Sequence, residues 1–448
     1  NNLSSERFSP VSSRTLPVKF QFALQLHSNI YLYLIFLFKS GKIIRYIYFA
    51  LKGILFMIVK PKIRGFICTT AHPDGCKAIV KEQIDYVKKC GKINGPKKVL
   101  VIGASMGYGL ASRISAAFGS GASTIGVIFD KQGTDTKPGS AGWYNTAAFE
   151  EYAKADGLYA KTINGDAFSS AIKDETIALI KKDFGKVDMV VYSLAAPRRT
   201  TSDGTVYSSV LKTVGADFTN KSIDVKTGAV SNVTITPATE QEIHATVKVM
   251  GGEDWKEWIG ALKAADAIED GAVTVAYSYI GPEVTHPIYK DGSIGRAKAH
   301  LAETAKEITK SIDGVSAYVS VNKALVTQSS SAIPIVPLYI SILYKVMKEM
   351  NIHEGCIEQM QRMFAEKIYG GEVKVDAENL IRLDDWEMRE DVQAKVAEAW
   401  DKINAENLNE LADIEGYNKD FIKLFGFEAD GVDYEAETDT AVGIASLE

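Results

Sequence analysis

The chain has 448 residues, 46% of them apolar and 24% charged, with a formal net charge of −5. This describes a globular chain with material for a large core and gives no support to nucleic-acid binding, which would show a basic excess and clustered Lys/Arg. Cys68, Cys76, Cys90 and Cys356 form no C-x-x-C pair, and neither they nor the six histidines show metal-ligand spacing. We expect a small-molecule partner, reduced and mostly buried thiols in a cytoplasmic setting, and no metal.

Residues 1–56 stand apart, with seven Lys/Arg against the single acid Glu6. Their longest apolar run, 29–38, falls short of the ~20 residues of a membrane-spanning helix. The readings, in order of preference, are an extension foreign to the native protein, a targeting segment and a membrane anchor, and the native protein is expected to begin at Met57. No membrane attachment is expected of residues 57–448.

From Met57 onward, apolar runs alternate with helical patterns, as in an α/β fold with a Rossmann-like, doubly wound parallel sheet. The first strand, 99–102, runs into Gly103-Ala104-Ser105-Met106-Gly107-Tyr108-Gly109 and then a helix. Such a turn holds a dinucleotide pyrophosphate: Gly103 permits the tight turn, Gly107 lets the backbone approach the phosphates, and Gly109 lets the helix pack on the strand. A second strand, 124–129, ends at Asp130. A carboxylate there accepts hydrogen bonds from the adenosine ribose and repels a 2′-phosphate, which favours NADH over NADPH.

Strands follow at 160–164, 189–194, 272–279 and 317–321, six in all, with a β-hairpin around Lys226-Thr227-Gly228 laid over the active-site side. Helices at 338–349 and 356–368 cover the substrate side, and the polar tail 435–448 is expected to fray. Residues 57–434 read as one enlarged domain.

The catalytic candidates are Tyr289 and Lys298. A phenol beside a bound nicotinamide can hydrogen-bond a substrate carbonyl oxygen, while the lysine holds the nicotinamide ribose and lowers the phenol pKa. Nine residues along an unbroken helix turn about 900° and rise ~13.5 Å, which would put the two on opposite faces. They can cooperate only if the helix begins after Tyr289, and Asp291-Gly292-Ser293 supplies the break, with Ser293 as the expected N-cap.

Together with His72-Pro73-Asp74-Gly75-Cys76, Gly142-Trp143-Tyr144-Asn145, Tyr277-Ser278-Tyr279 and Ser320-Val321-Asn322-Lys323, these blocks resemble the trans-2-enoyl-CoA reductases and the related Tyr-x8-Lys type of bacterial enoyl-ACP reductase. The resemblance covers nearly all of 57–434. It implies a monomeric, enlarged short-chain dehydrogenase/reductase fold with an added hairpin and C-terminal helices. It also implies an oxidoreductase of fatty acid metabolism that reduces the 2,3 double bond of an enoyl thioester with NADH, as from crotonyl-CoA to butyryl-CoA.

By the same resemblance, Tyr289 is the proton donor, Lys298 the cofactor-binding lysine and Tyr279 a substrate contact. Gly103, Ala104, Ser105, Met106, Gly107 and Tyr108 would hold the pyrophosphate, Phe129 and Asp130 the adenosine, and Asp166 and Ala167 the adenine edge. Leu194 and Ala195 would touch the cofactor after strand four, and Leu325, Val326 and Thr327 the nicotinamide. Relatives often carry Glu where this chain has Asp130, one methylene shorter. Arg198 and Arg199 would meet CoA phosphates or form a solvated basic turn. The alternatives are an enoyl-ACP reductase of fatty acid synthesis and, in another class, a nucleotide-sensing protein on the same fold.

Overall fold

In the computed structural model the described residues are 57–65 and 67–448, so the expectations for 1–56 lie outside them. Seven strands make one parallel sheet: β1 (Lys98–Ile102), β2 (Ser123–Ile128), β3 (Ala160–Asn164), β4 (Val187–Tyr192), β5 (Ile268–Ser278), β6 (Val315–Val321) and β7 (Leu380–Arg382). Their spatial order is β3-β2-β1-β4-β5-β6-β7. The order reverses between β1 and β4, and the crevice at the carboxyl ends there is where such sheets bind ligands.

Both faces of the sheet are buried, which is why its strands read as unbroken apolar runs rather than alternating ones. Val99 and Val101 of β1 face a core built with α1 (Pro73–Cys90), α2 (Gly107–Ile114) and α3 (Ala141–Ala155). Leu100 and Ile102 face the opposite core, with α4 (Ser170–Asp183), α5 (Glu253–Ala264) and α6 (Ser293–Ser311), where Trp255 and Trp258 are wholly buried. Helix α7 (Val336–Glu349) joins the first core, and α8 (Glu390–Lys402) packs on it.

The expected hairpin is present, Phe218–Asp224 pairing with Ala229–Ile235 and Gly228 turning at φ +74°. Lys221 Nζ donates to the carbonyl of Trp400 at the end of α8, which ties the hairpin to the C-terminal helices. No helix among the described residues is long and apolar enough to cross a membrane.

Three expectations need correction. The sheet has a seventh strand, β7, whose three residues are too short to show a period and are defined only by pairing with Val319, Ser320 and Val321. Cys90 is exposed, unlike Cys68 and Cys76. The tail 435–448 does not fray: Thr438 pairs with Met57, the Trp143 indole donates to the carbonyl of Val442 at 2.7 Å, and the Ser446 hydroxyl donates to Glu150 at 2.7 Å. Ile444 is fully buried. Its polar side chains suggested solvent, but the hydroxyls of Thr438, Thr440 and Ser446 are bonded to Asp74, Thr134 and Glu150, distant partners that composition does not reveal.

Candidate active site

The glycine turn ends β1 as its spacing requires. Gly103 has φ +83°, and a Cβ there would collide with the carbonyl of Ser193 at the end of β4. A Cβ on Gly109 would collide with the carbonyl of Gly103, so the first turn of α2 lies directly on the strand end. Gly107, at φ +52°, has open space where its Cβ would be. No side chain caps the N-terminus of α2, so its first N–H groups face that space. The cradle fits an anionic pyrophosphate.

Around it, Ala104 is buried and its N–H donates to Val127, while Asn145 Nδ2 holds the carbonyl of Ser105 at 3.1 Å. Met106 is the residue before the helix. Tyr108 turns away from the cradle: its hydroxyl donates to the carbonyl of Lys323 at 2.7 Å.

At the adenosine end, β2 stops at Ile128 and leaves Phe129 79% exposed, a free aromatic face beside the crevice. The Asp130 carboxylate accepts from the Ser140 hydroxyl at 2.8 Å and lies over the start of α3, where only a glycine, Gly142, leaves it room. Asp166 follows β3 and accepts from the Phe168 N–H at 3.0 Å, while the carbonyl of Ala167 accepts from the Trp258 indole. Leu194 and Ala195 follow β4, with Leu194 beside Gly103.

Tyr279 follows the end of β5, and its ring meets that of Tyr289 edge to face with centroids 4.7 Å apart. Both line one cavity with Tyr108, Ala324, Leu325, Thr327, Ser330, Val336 and Ile340. Leu325 and Val326 are buried, the Val326 N–H donating to Tyr344 and the Thr327 N–H to Ser330.

The break before α6 is present, but Gly292, not Ser293, is the N-cap. Ser293 is the first helical residue, and its hydroxyl donates to the carbonyl of Val210 at 2.6 Å, so tertiary packing takes the group that would have capped. A Cβ on Gly295 would collide with the carbonyls of Tyr289 and Lys290, so the loop carrying Tyr289 is folded onto the first turn of α6.

Lys298 Nζ donates to the carbonyl of Tyr277 at 2.9 Å, two residues before Tyr279. Burial brings its pKa down to about 8. The expected depression of the Tyr289 phenol by Lys298 is not found. Burial, helped by the Glu387 carboxylate, pushes that hydroxyl well up, so Tyr289 keeps its proton at neutral pH.

Two site residues escaped the sequence reading. Glu387 is fully buried and accepts from Tyr279 Oη at 3.0 Å, Tyr339 Oη at 2.6 Å and the Ala324 N–H at 2.7 Å. Lys323 is buried beside it, its Nζ donating to the carbonyl of Ala324 and lying 5.1 Å from the Tyr344 ring centre. In Asp384-Asp385-Trp386-Glu387 the glutamate looks like one more surface acid, and nothing local marks it.

Arg199 fits neither reading made for it. It is 3% exposed, donates to Glu257 at 2.9 Å and to the carbonyl of Lys248, and stacks on Phe168, so it belongs to the core beneath the sheet end. Arg198 is exposed.

Known proteins resemble this chain along most of its length. Residues 137–369 match the trans-2-enoyl-CoA reductase catalytic region, and residues 58–135 the NAD(P)H binding domain of trans-2-enoyl-CoA reductase. Residues 375–438 match a family described as an enoyl reductase FAD binding domain. In this chain Val392, Val396, Trp400, Tyr417 and Phe421 of that segment are buried in the core and leave no apolar face of theirs for a flavin ring.

A Flavobacterium johnsoniae relative, named enoyl-[acyl-carrier-protein] reductase [NADH], is 60% identical over 87% of this chain and 100% of its own. A Ruminiclostridium cellulolyticum relative, named trans-2-enoyl-CoA reductase [NADH], is 58% identical over the same shares. The solved Treponema denticola trans-2-enoyl-CoA reductase in complex with NAD superposes with a TM-score of 0.84 at 51% identity, covering 88% of this chain and 100% of that one. The Clostridium acetobutulicum trans-2-enoyl-CoA reductase in complex with NADH gives 0.84 at 49% identity, with the same coverage. With its glycine cradle, its paired tyrosines, family matches over residues 58–135 and 137–369 and relatives this similar, the chain belongs to the trans-2-enoyl-CoA reductase family.

Proposed function

We propose that this chain is an NADH-dependent oxidoreductase that reduces the 2,3 double bond of short trans-2-enoyl-CoA thioesters, crotonyl-CoA to butyryl-CoA being the type reaction. It acts as a cytoplasmic monomer in fatty acid metabolism. The observation that carries this reading is Tyr289: a protonated phenol in a cavity shared with Tyr279, Leu325 and Thr327, with no hydrogen bond from its hydroxyl to any described residue. A donor with an unspent proton is what an enoyl thioester carbonyl needs.

Gly103, Ala104, Ser105, Met106, Gly107 and Tyr108 would hold the pyrophosphate through the backbone, Phe129, Asp130, Asp166 and Ala167 the adenosine, and Leu194, Ala195, Leu325, Val326, Thr327 and Lys298 the nicotinamide half. Bound NADH supplies a hydride to C3 of the enoyl thioester. Tyr289 donates a hydrogen bond to the thioester oxygen, where the enolate charge develops, and a proton passed through its hydroxyl from solvent completes C2. Tyr279 bounds the acyl group. Lys298, cationic below about pH 8, orients the ribose.

A second reading, reduction of enoyl groups on acyl carrier protein, is favoured by the name of the Flavobacterium johnsoniae relative. Steady-state rates with crotonyl-CoA and crotonyl-ACP, each with NADH and NADPH, decide between them. Crotonyl-CoA with NADH should give the highest kcat/KM, and a tenfold preference for the protein carrier would establish the second reading. Tight NADH binding with no turnover of either thioester would return the chain to a nucleotide-sensing role.

A further inference from the structure

Glu387 joins three walls of the active-site cavity that are far apart in sequence. Its Oε1 accepts from Tyr279, just past the end of β5, and from Tyr339 on α7; its Oε2 accepts the Ala324 N–H, at the head of the segment that continues into Leu325, Val326 and Thr327. The turn that carries it is fixed in its own right, since Gln393 of α8 donates to the Glu387 carbonyl at 2.7 Å. No solvent reaches Glu387.

A phenol has one proton. Tyr279 directs its proton at Glu387, away from the cavity, so what it presents to the cavity is its ring edge and oxygen lone pairs. That ring sits edge to face against Tyr289, whose own proton remains unspent. Of the three tyrosines that line the cavity, Tyr108 directs its proton at the Lys323 carbonyl and Tyr279 at Glu387, which leaves Tyr289 as the donor.

We propose that Glu387 is a positioning residue for the reduction: by taking the Tyr279 proton it orients the Tyr279 ring against Tyr289 and prevents Tyr279 from competing for the thioester oxygen. This rests on the reading of Tyr289 given above. Protonation of Glu387 removes an acceptor site and frees Tyr279, so turnover falls on the acid side. The groups that face Glu387 are Lys323, Tyr339, Tyr279 and the Ala324 N–H, with Asp384 behind it and Tyr289 beyond the Tyr279 ring. Lys323 and the hydrogen bonds oppose burial, which on balance raises the Glu387 value above the ordinary glutamate range.

The test compares Glu387→Gln, Tyr279→Phe and the double variant in the full chain, reading kcat across pH, KM and NADH affinity by fluorescence. Glu387→Gln should lower kcat ~10-fold, a typical loss for a misplaced reacting group, with NADH affinity changed less than ~2-fold and the acid limb of kcat gone. Added to Tyr279→Phe it should cost less than ~2-fold more, because it acts through Tyr279. Losses that multiply, or an acid limb that survives in Glu387→Gln, would overturn the proposal. If Glu387→Gln does not fold, Tyr339→Phe withdraws one donor from the carboxylate and should move the acid limb to higher pH; an unmoved limb would likewise overturn it. Affinity for the unreactive product butyryl-CoA, measured by calorimetry over the same variants, reads the Tyr279 contact without turnover. Glu387→Gln should change it by at least ~2-fold, and the change should vanish in the Tyr279→Phe background; an affinity unmoved by Glu387→Gln would overturn the proposal even if the wild-type chain proves unable to reduce an enoyl thioester.

Discussion

Two clusters of buried charge lie at the carboxyl ends of the strands, and they differ in how far the protein completes them. Beneath α5, Lys173 Nζ contacts Asp254 at 2.7 Å and Glu257 at 3.5 Å, Asp254 also accepts from Tyr192, and Arg199 contacts Glu257 and Glu253. Every charge there has a protein partner of opposite sign. Near the cavity, Lys298, which bonds the carbonyl two residues before Tyr279, has no carboxylate partner, and Tyr289 donates to no described residue. The closed cluster fits a role in stability, and the open one carries the proposed chemistry. Burial of a charge marks neither; an incomplete set of partners marks the site.

That contrast can be broken most severely at Tyr289. Tyr289→Phe should lower kcat with crotonyl-CoA by ~10³-fold, about 4 kcal/mol, while NADH affinity stays within ~2-fold, because the ring stays and only the proton goes. Loss of cofactor binding instead would show that the hydroxyl is structural. In the closed cluster, Lys173→Met should destabilise the fold by about 3 kcal/mol, since it leaves the buried Asp254 with Arg199, 4.0 Å away, as its remaining cation, yet leave the kcat of folded enzyme near wild type. Denaturant unfolding alongside active-site titration checks both halves.

Lys298 sharpens the comparison through pH. Its value is lowered by burial to about 8, so it is cationic below that pH and neutral above it. NADH affinity should therefore fall as pH rises through 8, and binding near pH 8 should draw in a proton, because a dinucleotide anion favours the charged lysine. Calorimetry in buffers of different ionisation enthalpy measures that uptake. Lys298→Met should weaken NADH ~10-fold and abolish the pH dependence. An effect of the same order is expected at Asp130, where replacement by Ser removes the charge proposed to meet the adenosine ribose. NADPH should gain on NADH by ~10-fold in kcat/KM, with stability nearly unchanged. An unchanged cofactor ratio would place the adenosine elsewhere.

What was legible in the sequence is what local geometry enforces. A strand buried on both faces must be an apolar run, and a turn in which strand end and helix start converge must use Gly103, Gly107 and Gly109, so β1, the turn and α2 can be read directly. The interruption before α6 was legible because helix geometry forbids Tyr289 and Lys298 from cooperating without it. The cap was not, because the hydroxyl of Ser293 is claimed by Val210, 83 residues earlier. Glu387 meets Tyr279 across 108 residues, β7 exists only by pairing with β6, and the tail is fixed by the carbonyls of Thr440 and Val442. Arg199 looked like an exposed basic turn because Glu253 and Glu257 are neighbours in space but lie more than fifty residues away. Each failure is a contact between distant segments, which no window of sequence contains.

The central claim is that this cavity adds a hydride at C3 and a proton at C2 of an enoyl thioester. Reduction of crotonyl-CoA with NADH deuterated at nicotinamide C4, on the face the enzyme uses, followed by NMR of the butyryl product, tests it most directly. One deuterium should appear at C3 and none at C2. Unlabelled product, or label at C2 or at the former carbonyl carbon, would contradict it.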